Sequence, residues 1–236
     1  MIRSMKKLNC QNCSTKSKSL FCELSDESLE NISKHKISNA LKKGDNIFNE
    51  GTPSFGLYCI QSGRVKITKT GIDGKEVIVR IADTGDVIGH RSIFSNQNYT
   101  ATAKVIEDSV VCFFDKHFFF NLIKVEPTIA FHLIERLSLG MGVAENKSAS
   151  IIQKNVSERL AELLLMLKET YGVQEKDRIK LDIFLTREEL ASMVGMAHET
   201  VIRQISQFKE DGLIMQTEKT IYILNEKKLI EQANIN

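Results

Sequence analysis

The sequence predicts an α+β fold built in three successive parts: an antiparallel jelly roll, a long helix and a winged helix-turn-helix. Three observations carry this. Between residues 38 and 115, Val, Ile and Thr alternate with polar residues in short runs broken by Gly-Asp, Gly-Thr, Ser-Gly and Asp-Gly, the pattern of short antiparallel strands. Residues 127–155 place Ile134, Leu137, Met141, Ala144 and Ile151 close to a heptad seam, behind a Pro127 suited to a helix start. Residues 184–213 read as two short helices meeting at Gly195. The expected boundaries are a cysteine-containing tail at 1–24, a β-roll at 25–126, the long helix at 127–155 and the winged-helix domain at 156–236.

With 42% hydrophobic and 26% charged residues, the 236-residue chain has a soluble globular composition and room for two modest domains. No apolar run approaches a membrane span and the N-terminus lacks a signal-peptide core, so the expected location is the cytoplasm, with no membrane partner. A formal charge of +2 is too small to argue for nucleic acid and does not exclude a local DNA-binding surface. Five cysteines, an odd number in a reducing compartment, argue against a disulfide framework and leave metal, redox or plain burial. No strained nucleophile, paired carboxylates or phosphate-cradling loop is legible, which argues against an enzyme.

Taken in order, residues 1–22 are basic and polar and are not expected to pack by themselves. Cys10 and Cys13 have the spacing that lets two thiolates grip one metal or cluster edge, and Cys22 follows after a longer gap. SDESLENISKHKI reads as a short amphipathic helix capped by Ser25, with Glu27 and Glu30 early. In RVKITKTGIDGKEVIVRI, Asp73-Gly74 supplies a hairpin turn, and alternation puts Val65, Ile67, Val77 and Val79 on the buried face. Gly140 and Gly142 weaken the long helix in isolation but permit close approach of a partner helix or of the roll. Periodicity alone leaves open whether its apolar stripe is internal core or a dimer interface. SERLAELLLMLKETYG then has an almost continuous apolar face and ends at Gly172.

In FLTREELASMVGMAHETVIRQISQFKEDGL, Thr186 and Glu189 form a capping box, and Leu190, Met193 and Val194 give the first helix its apolar face. Gly195 tolerates the positive φ that ends it, and the small Ala191 leaves room for a crossing helix. The second helix begins near Ala197. Val201, Ile205 and Phe208 face inward, which leaves His198, Glu199, Thr200, Arg203 and Gln204 exposed near its N-terminus. A major-groove recognition helix needs this arrangement, because Arg donates two bonds to guanine and Glu accepts from cytosine. LIMQTEKTIYIL adds two apolar runs at 213–215 and 221–224 around a polar turn, the wing. Thr186, Arg187, Lys209 and Lys219 are placed to meet the backbone. By themselves the same residues also fit an ordinary helical hairpin, or a protein-binding surface on a nucleotide-binding regulatory module.

KKGDNIFNEG, LYCIQSGRVKIT, DGKEVIVRI and TGDVIGHRSIF, in that order and followed by a helix and a winged helix, resemble the Crp/Fnr family of bacterial transcription regulators over nearly the whole chain. The resemblance implies a cyclic-nucleotide-binding-type β-roll, a dimerisation helix and a DNA-binding winged helix. It implies a homodimer on a palindromic TGA/TCA-like operator in double-stranded DNA, with RNA polymerase as a protein partner. Glu199 and, four residues on, Arg203 fall where the family reads the C and G of each half-site. Ile202 stands where Fnr-type regulators have Ser, and His198 where the cyclic-AMP receptors have Arg.

The family's cyclic-AMP receptors hold the ribose with a Glu after Ile-Gly and the cyclic phosphate with an Arg-Ser-Ala triplet. Here Gly89 is followed by His90, Arg91 and Ser92, and Tyr99-Thr100-Ala101 stands near the triplet. The phosphate loses its bidentate partner, and Arg91, one position off on a strand, points away. Cyclic AMP is not expected, although the position is retained as the candidate effector pocket. Fnr-type oxygen sensors carry an N-terminal C-x-x-C, a third Cys soon after and a fourth in the roll, and Cys10, Cys13, Cys22 and Cys112 match that order. The resemblance therefore implies a [4Fe-4S] cluster sensing oxygen or nitric oxide as one reading of the signal. Zinc on the same four would need the tail to fold back onto the roll. Cys59, inside LYCI, is expected to be simply buried.

Overall fold

The computed structural model describes residues 9–72, 74–218 and 220–234. They divide into two compact units, 1–140 and 141–236.

In the first unit a short helix α1 (Asp26–His35) precedes eight strands. Ser25 caps it, its hydroxyl accepting the Ser28 N–H, and Leu29 and Ile32 are its buried face. Strands β1 (Ile37–Leu41), β2 (Asn46–Phe48), β3 (Gly56–Ser62), β4 (Val65–Thr70), β5 (Glu76–Ala82) and β6 (Val87–Ile88) lead to a one-turn helix α2 (His90–Phe94). Strands β7 (Thr102–Val105) and β8 (Ser109–Asp115) follow, then helix α3 (Lys116–Val125). The strands form two antiparallel four-stranded sheets, ordered β1-β8-β3-β6 and β2-β7-β4-β5.

Phe48, Ile60, Val65, Ala82, Ile88, Ala103, Val105 and Val111 come from both sheets and pack into one core, so the sheets face each other. The first sheet is buried on its other side as well. There Leu57, Cys59, Cys112 and Phe114 meet Leu20, Phe21 and Leu24 of the N-terminal segment, Leu29 and Ile32 of α1, and Phe119 and Leu122 of α3. Burying a side chain such as Phe114 contributes on the order of 2–3 kcal/mol. The N-terminal segment thus packs on the roll and not by itself. Residues 9–24 lie on the roll because Cys10, Leu20, Phe21 and Leu24 supply an apolar edge that the polar composition of the segment conceals.

The hairpin β4–β5 also differs from its sequence reading. Val65 is buried, but Val77 and Val79 are 41% and 44% exposed, and Ile78 is the inward residue. A bulge between Ile67 and Thr68 shifts the register, so that Ile67 pairs with Arg80 and Thr68 with Ile78. One extra residue exchanges the two faces of everything beyond it. The turn is closed by the Gly74 N–H donating to the Gly71 carbonyl at 3.0 Å, and Asp73 lies outside the described residues.

Helix α4 (Thr128–Gln153) runs for 26 residues. Ile129 and Leu133 are buried at its start, whereas Ile134, Leu137, Met141 and Ile151 of the seam are exposed. A Cβ added at Gly140 or Gly142 would meet nothing within 4 Å. The helix ends where Asn155 begins α5 (Val156–Tyr171) with a capping box completed by Glu158.

In the second unit Leu160, Leu164 and Leu167 form the buried side of α5. Strands β9 (Gly172–Glu175) and β10 (Arg178–Leu181), helices α6 (Arg187–Val194) and α7 (His198–Glu210), strands β11 (Ile214–Thr217) and β12 (Thr220–Ile223), and helix α8 (Glu226–Ala233) complete it. The sheet order is β11-β12-β10-β9.

Candidate nucleic-acid interface and sensor sites

Helix α6 starts as its sequence dictates. The Thr186 hydroxyl accepts the Glu189 N–H at 3.1 Å, and the Glu189 carboxylate accepts the Thr186 N–H at 3.0 Å. It stops at Gly195, where φ is +73° and the N–H donates to the Ala191 carbonyl. A side chain there would strain the backbone. Helix α7 opens at Ala197 with no side-chain cap. Val201, Ile205 and Phe208 are its buried stripe.

That stripe turns the remaining positions outward. Glu199 and Arg203, one turn apart, are exposed, as are Thr186 and Arg187 at the head of α6, while His198, Thr200 and Gln204 are half-buried. Seven hydrogen-bonding side chains at the head of α6 and along α7 are thus exposed or half-buried, beside the uncapped first turn of α7. Strands β11 and β12 pair from Ile214↔Ile223 to Thr217↔Thr220 and form the hairpin beside it. Lys219 lies outside the described residues.

Three of the candidate effector residues, His90, Ser92 and Tyr99, are buried in the roll. Gly89, at φ +80°, turns the chain into α2. His90, on that helix rather than on a strand, is 7% exposed. Burial, with Arg80 and Arg91 nearby, lowers its pKa to about 4, so the ring is neutral. Arg91 is exposed, and the physical reason is helical rather than the strand alternation expected for it. The Ser92 hydroxyl accepts the Thr100 N–H at 3.3 Å. Tyr99 stacks on Phe48 with centroids 4.0 Å apart and donates its hydroxyl to the Gly56 carbonyl at 2.8 Å. Burial pushes the Tyr99 phenol up.

The cysteines divide differently from their order in the chain. Cys10, Cys13, Cys59 and Cys112 line one cavity of about 30 Å³ on the outer side of the first sheet. Burial pushes the thiols of Cys59 and Cys112 up. Cys22 is not among the lining residues. Its sulfur lies 3.9 Å from His132 Nδ1, and His132 Nε2 is 3.5 Å from the Glu23 carboxylate. Of the expected ligand set, Cys10, Cys13 and Cys112 line this cavity and Cys22 does not, while Cys59, buried as its strand position predicts, lines it as well. The missed signal was its strand register, since Cys59 is the direct partner of Cys112 across β3–β8.

Two family models match this chain, a cyclic nucleotide-binding domain over residues 39–126 and a Crp-like helix-turn-helix domain over residues 158–232. A CRP-like cAMP-activated global transcriptional regulator of Mycobacterium tuberculosis is 31% identical over 81% of this chain and 85% of that protein. The chain belongs to the Crp/Fnr family of transcription regulators. An anaerobic regulatory protein of Bacillus subtilis is 29% identical over 85% of this chain and 84% of that protein. In fold, this Crp/Fnr regulator is similar to the c-di-GMP responsive global regulator CLP of Xanthomonas campestris, with TM-score 0.76 and 20% identity over 85% of this chain and all of that one. Helices α6 and α7 lie within the Crp-like helix-turn-helix domain of a transcription regulator. No helix among the described residues is long and apolar enough to cross a membrane.

Proposed function

We propose that two copies of this regulator join along α4 and present two α7 helices to successive major-groove faces of a palindromic TGA/TCA-like operator. The observation that carries this is the seam of exposed apolar residues at Ile134, Leu137 and Met141, which the chain's own fold does not cover. Two-fold symmetry of the protein then requires two-fold symmetry of the site, with half-sites about one helical turn apart. Arg203 and Glu199 read the G and the C of each half-site, His198, Thr200 and Gln204 contact neighbouring base edges, and Thr186, Arg187 and Lys219 position the phosphates. The uncapped N–H groups at Ala197 favour an anionic backbone oxygen there. RNA polymerase is the protein the bound dimer addresses, in the cytoplasm, and the regulator has no catalytic role of its own.

The signal enters through the first unit. Cyclic AMP is not that signal, because Tyr99 is stacked on Phe48 and the only cation among the predicted effector residues, Arg91, is exposed. A [4Fe-4S] cluster responsive to oxygen or nitric oxide fits better, since four thiols around one cavity are the donor set such a cluster requires. Operator recognition is tested with Arg203→Ala. Loss of a bidentate contact to guanine costs about 1–3 kcal/mol on the cognate site and relaxes preference at one base pair. Equal losses on cognate and random duplexes would contradict the assigned role.

A further inference from the structure

The start of α4 holds the N-terminal segment through two side chains one turn apart. Arg136 donates to the Lys18 carbonyl and, at 3.1 Å, to the Gly85 carbonyl, and His132 Nδ1 lies 3.3 Å from the Leu20 carbonyl. The segment then turns, with the Leu24 N–H donating to the Phe21 carbonyl at 3.4 Å. Phe21 and Leu24 enter the same core as Ile129 and Leu133 of α4. Cys22 and Glu23 are left at the corner of that turn, beside His132. The Cys22 sulfur is 3.9 Å from His132 Nδ1, and the Glu23 carboxylate is 3.5 Å from His132 Nε2.

A thiol, an imidazole nitrogen and a carboxylate oxygen thus lie within 4.8 Å of one another, the group among the described residues that converges in this way. A tetrahedral ion bonded at about 2.0–2.3 Å holds such atoms about 3.3–3.6 Å apart, so modest side-chain rotation closes the site. The backbone on both sides is fixed by the shared core. In the neutral ring the Leu20 carbonyl accepts the Nδ1 proton, which sets the tautomer and leaves the Nε2 lone pair to the ion. The donor set selects the metal. One carboxylate is too few oxygens for calcium or magnesium, whereas sulfur, nitrogen and oxygen together suit zinc. Cys22 and His132 are half-buried, so an ion there sheds part of its water, and the thiolate and carboxylate balance its two charges. An ion pair between His132 and Glu23 alone would have no use for Cys22.

We propose that Cys22, Glu23 and His132 form a zinc site that ties the start of α4 to the N-terminal segment. The site uses none of the thiols that line the cavity, so it stands apart from the cluster reading. The Cys22 thiol releases its proton to solvent as the sulfur–zinc bond forms, the imidazole and carboxylate bind as they are, and water takes the fourth position. The test uses the reduced full chain carrying Cys13→Ala, which breaks up the thiol set of the cavity. This parent is titrated without oxygen with zinc against a chromophoric chelator, and with cobalt(II) as a coloured substitute. It is expected to bind one ion, and its cobalt form to show tetrahedral d–d bands with the charge transfer of a single thiolate. Adding Cys22→Ala or His132→Gln weakens zinc binding by at least about a hundredfold, and Glu23→Gln, on an exposed side chain, by about tenfold. All three keep the parent's far-ultraviolet spectrum. A parent that binds no ion, a cobalt spectrum with two or more thiolates, or binding within about threefold of the parent in either the Cys22→Ala or the His132→Gln variant overturns the proposal.

Discussion

The two units hold their functional residues in opposite ways. In the second, all but one of the side chains proposed to meet DNA fall within residues 186–204 and are exposed or half-buried, held by a cap and a buried stripe that are themselves local. In the first, the thiols come from residues 10, 13, 59 and 112 and face a cavity beneath the N-terminal segment. The surface side chains lie outside the buried core of their unit, whereas Cys59, Cys112 and Tyr99 are part of the core of theirs. Substitutions in the two places therefore differ in kind: one set changes DNA affinity, the other changes stability.

The largest effect is expected at the buried Tyr99. Tyr99→Ala removes a buried ring stacked on Phe48 and leaves the Gly56 carbonyl without its hydroxyl donor, at a cost of about 3–5 kcal/mol in a denaturant titration. A cost under about 1 kcal/mol would mean that the ring is not structural and that the position is open to a ligand. His90 gives a pH effect of comparable size. The folded ring stays neutral down to about pH 4, whereas the unfolded imidazole protonates near 6.5. Between those values the unfolded chain binds more protons. Stability is thus complete above about pH 6.5 and falls by as much as about 3 kcal/mol as pH drops towards 4. His90→Asn is expected to remove that part of the pH dependence, and an unchanged profile would break the assignment.

In the second unit the effects shrink. Thr186→Ala deletes one half of a capping box and is expected to lower stability by about 1 kcal/mol. Arg203→Ala, on the exposed face, is expected to change stability by no more than about 0.5 kcal/mol while losing operator affinity. A stability loss as large as that of Tyr99→Ala would erase the contrast between the units.

The same contrast explains what was legible in the sequence. Thr186, Glu189, Gly195 and the Val201, Ile205, Phe208 stripe encode their structure within a turn or two of helix, so the helix-turn-helix could be read almost residue by residue. The strand order of the roll was legible as a class. Its register was not, because the bulge at Ile67 and Thr68 inverts the face of β5 and leaves no mark in the alternation. The pairing of Cys59 with Cys112 is information of the same non-local kind, and so is the docking of Leu20 and Phe21. Chain order therefore did not show that Cys59 faces the same cavity as Cys10, Cys13 and Cys112. Likewise, nothing in the Tyr99-Thr100-Ala101 run shows that its first ring would be buried against Phe48.

Titrating the full chain into a labelled duplex with TGA and TCA arms about one turn apart, beside the same duplex with scrambled arms, probes the shared basis of all this most directly. Two chains per palindrome are expected, with affinity at least about a thousandfold above the scrambled duplex and falling linearly in log–log form with salt. A single chain per duplex, with the same affinity for both sequences, would contradict a dimer that reads base edges through α7.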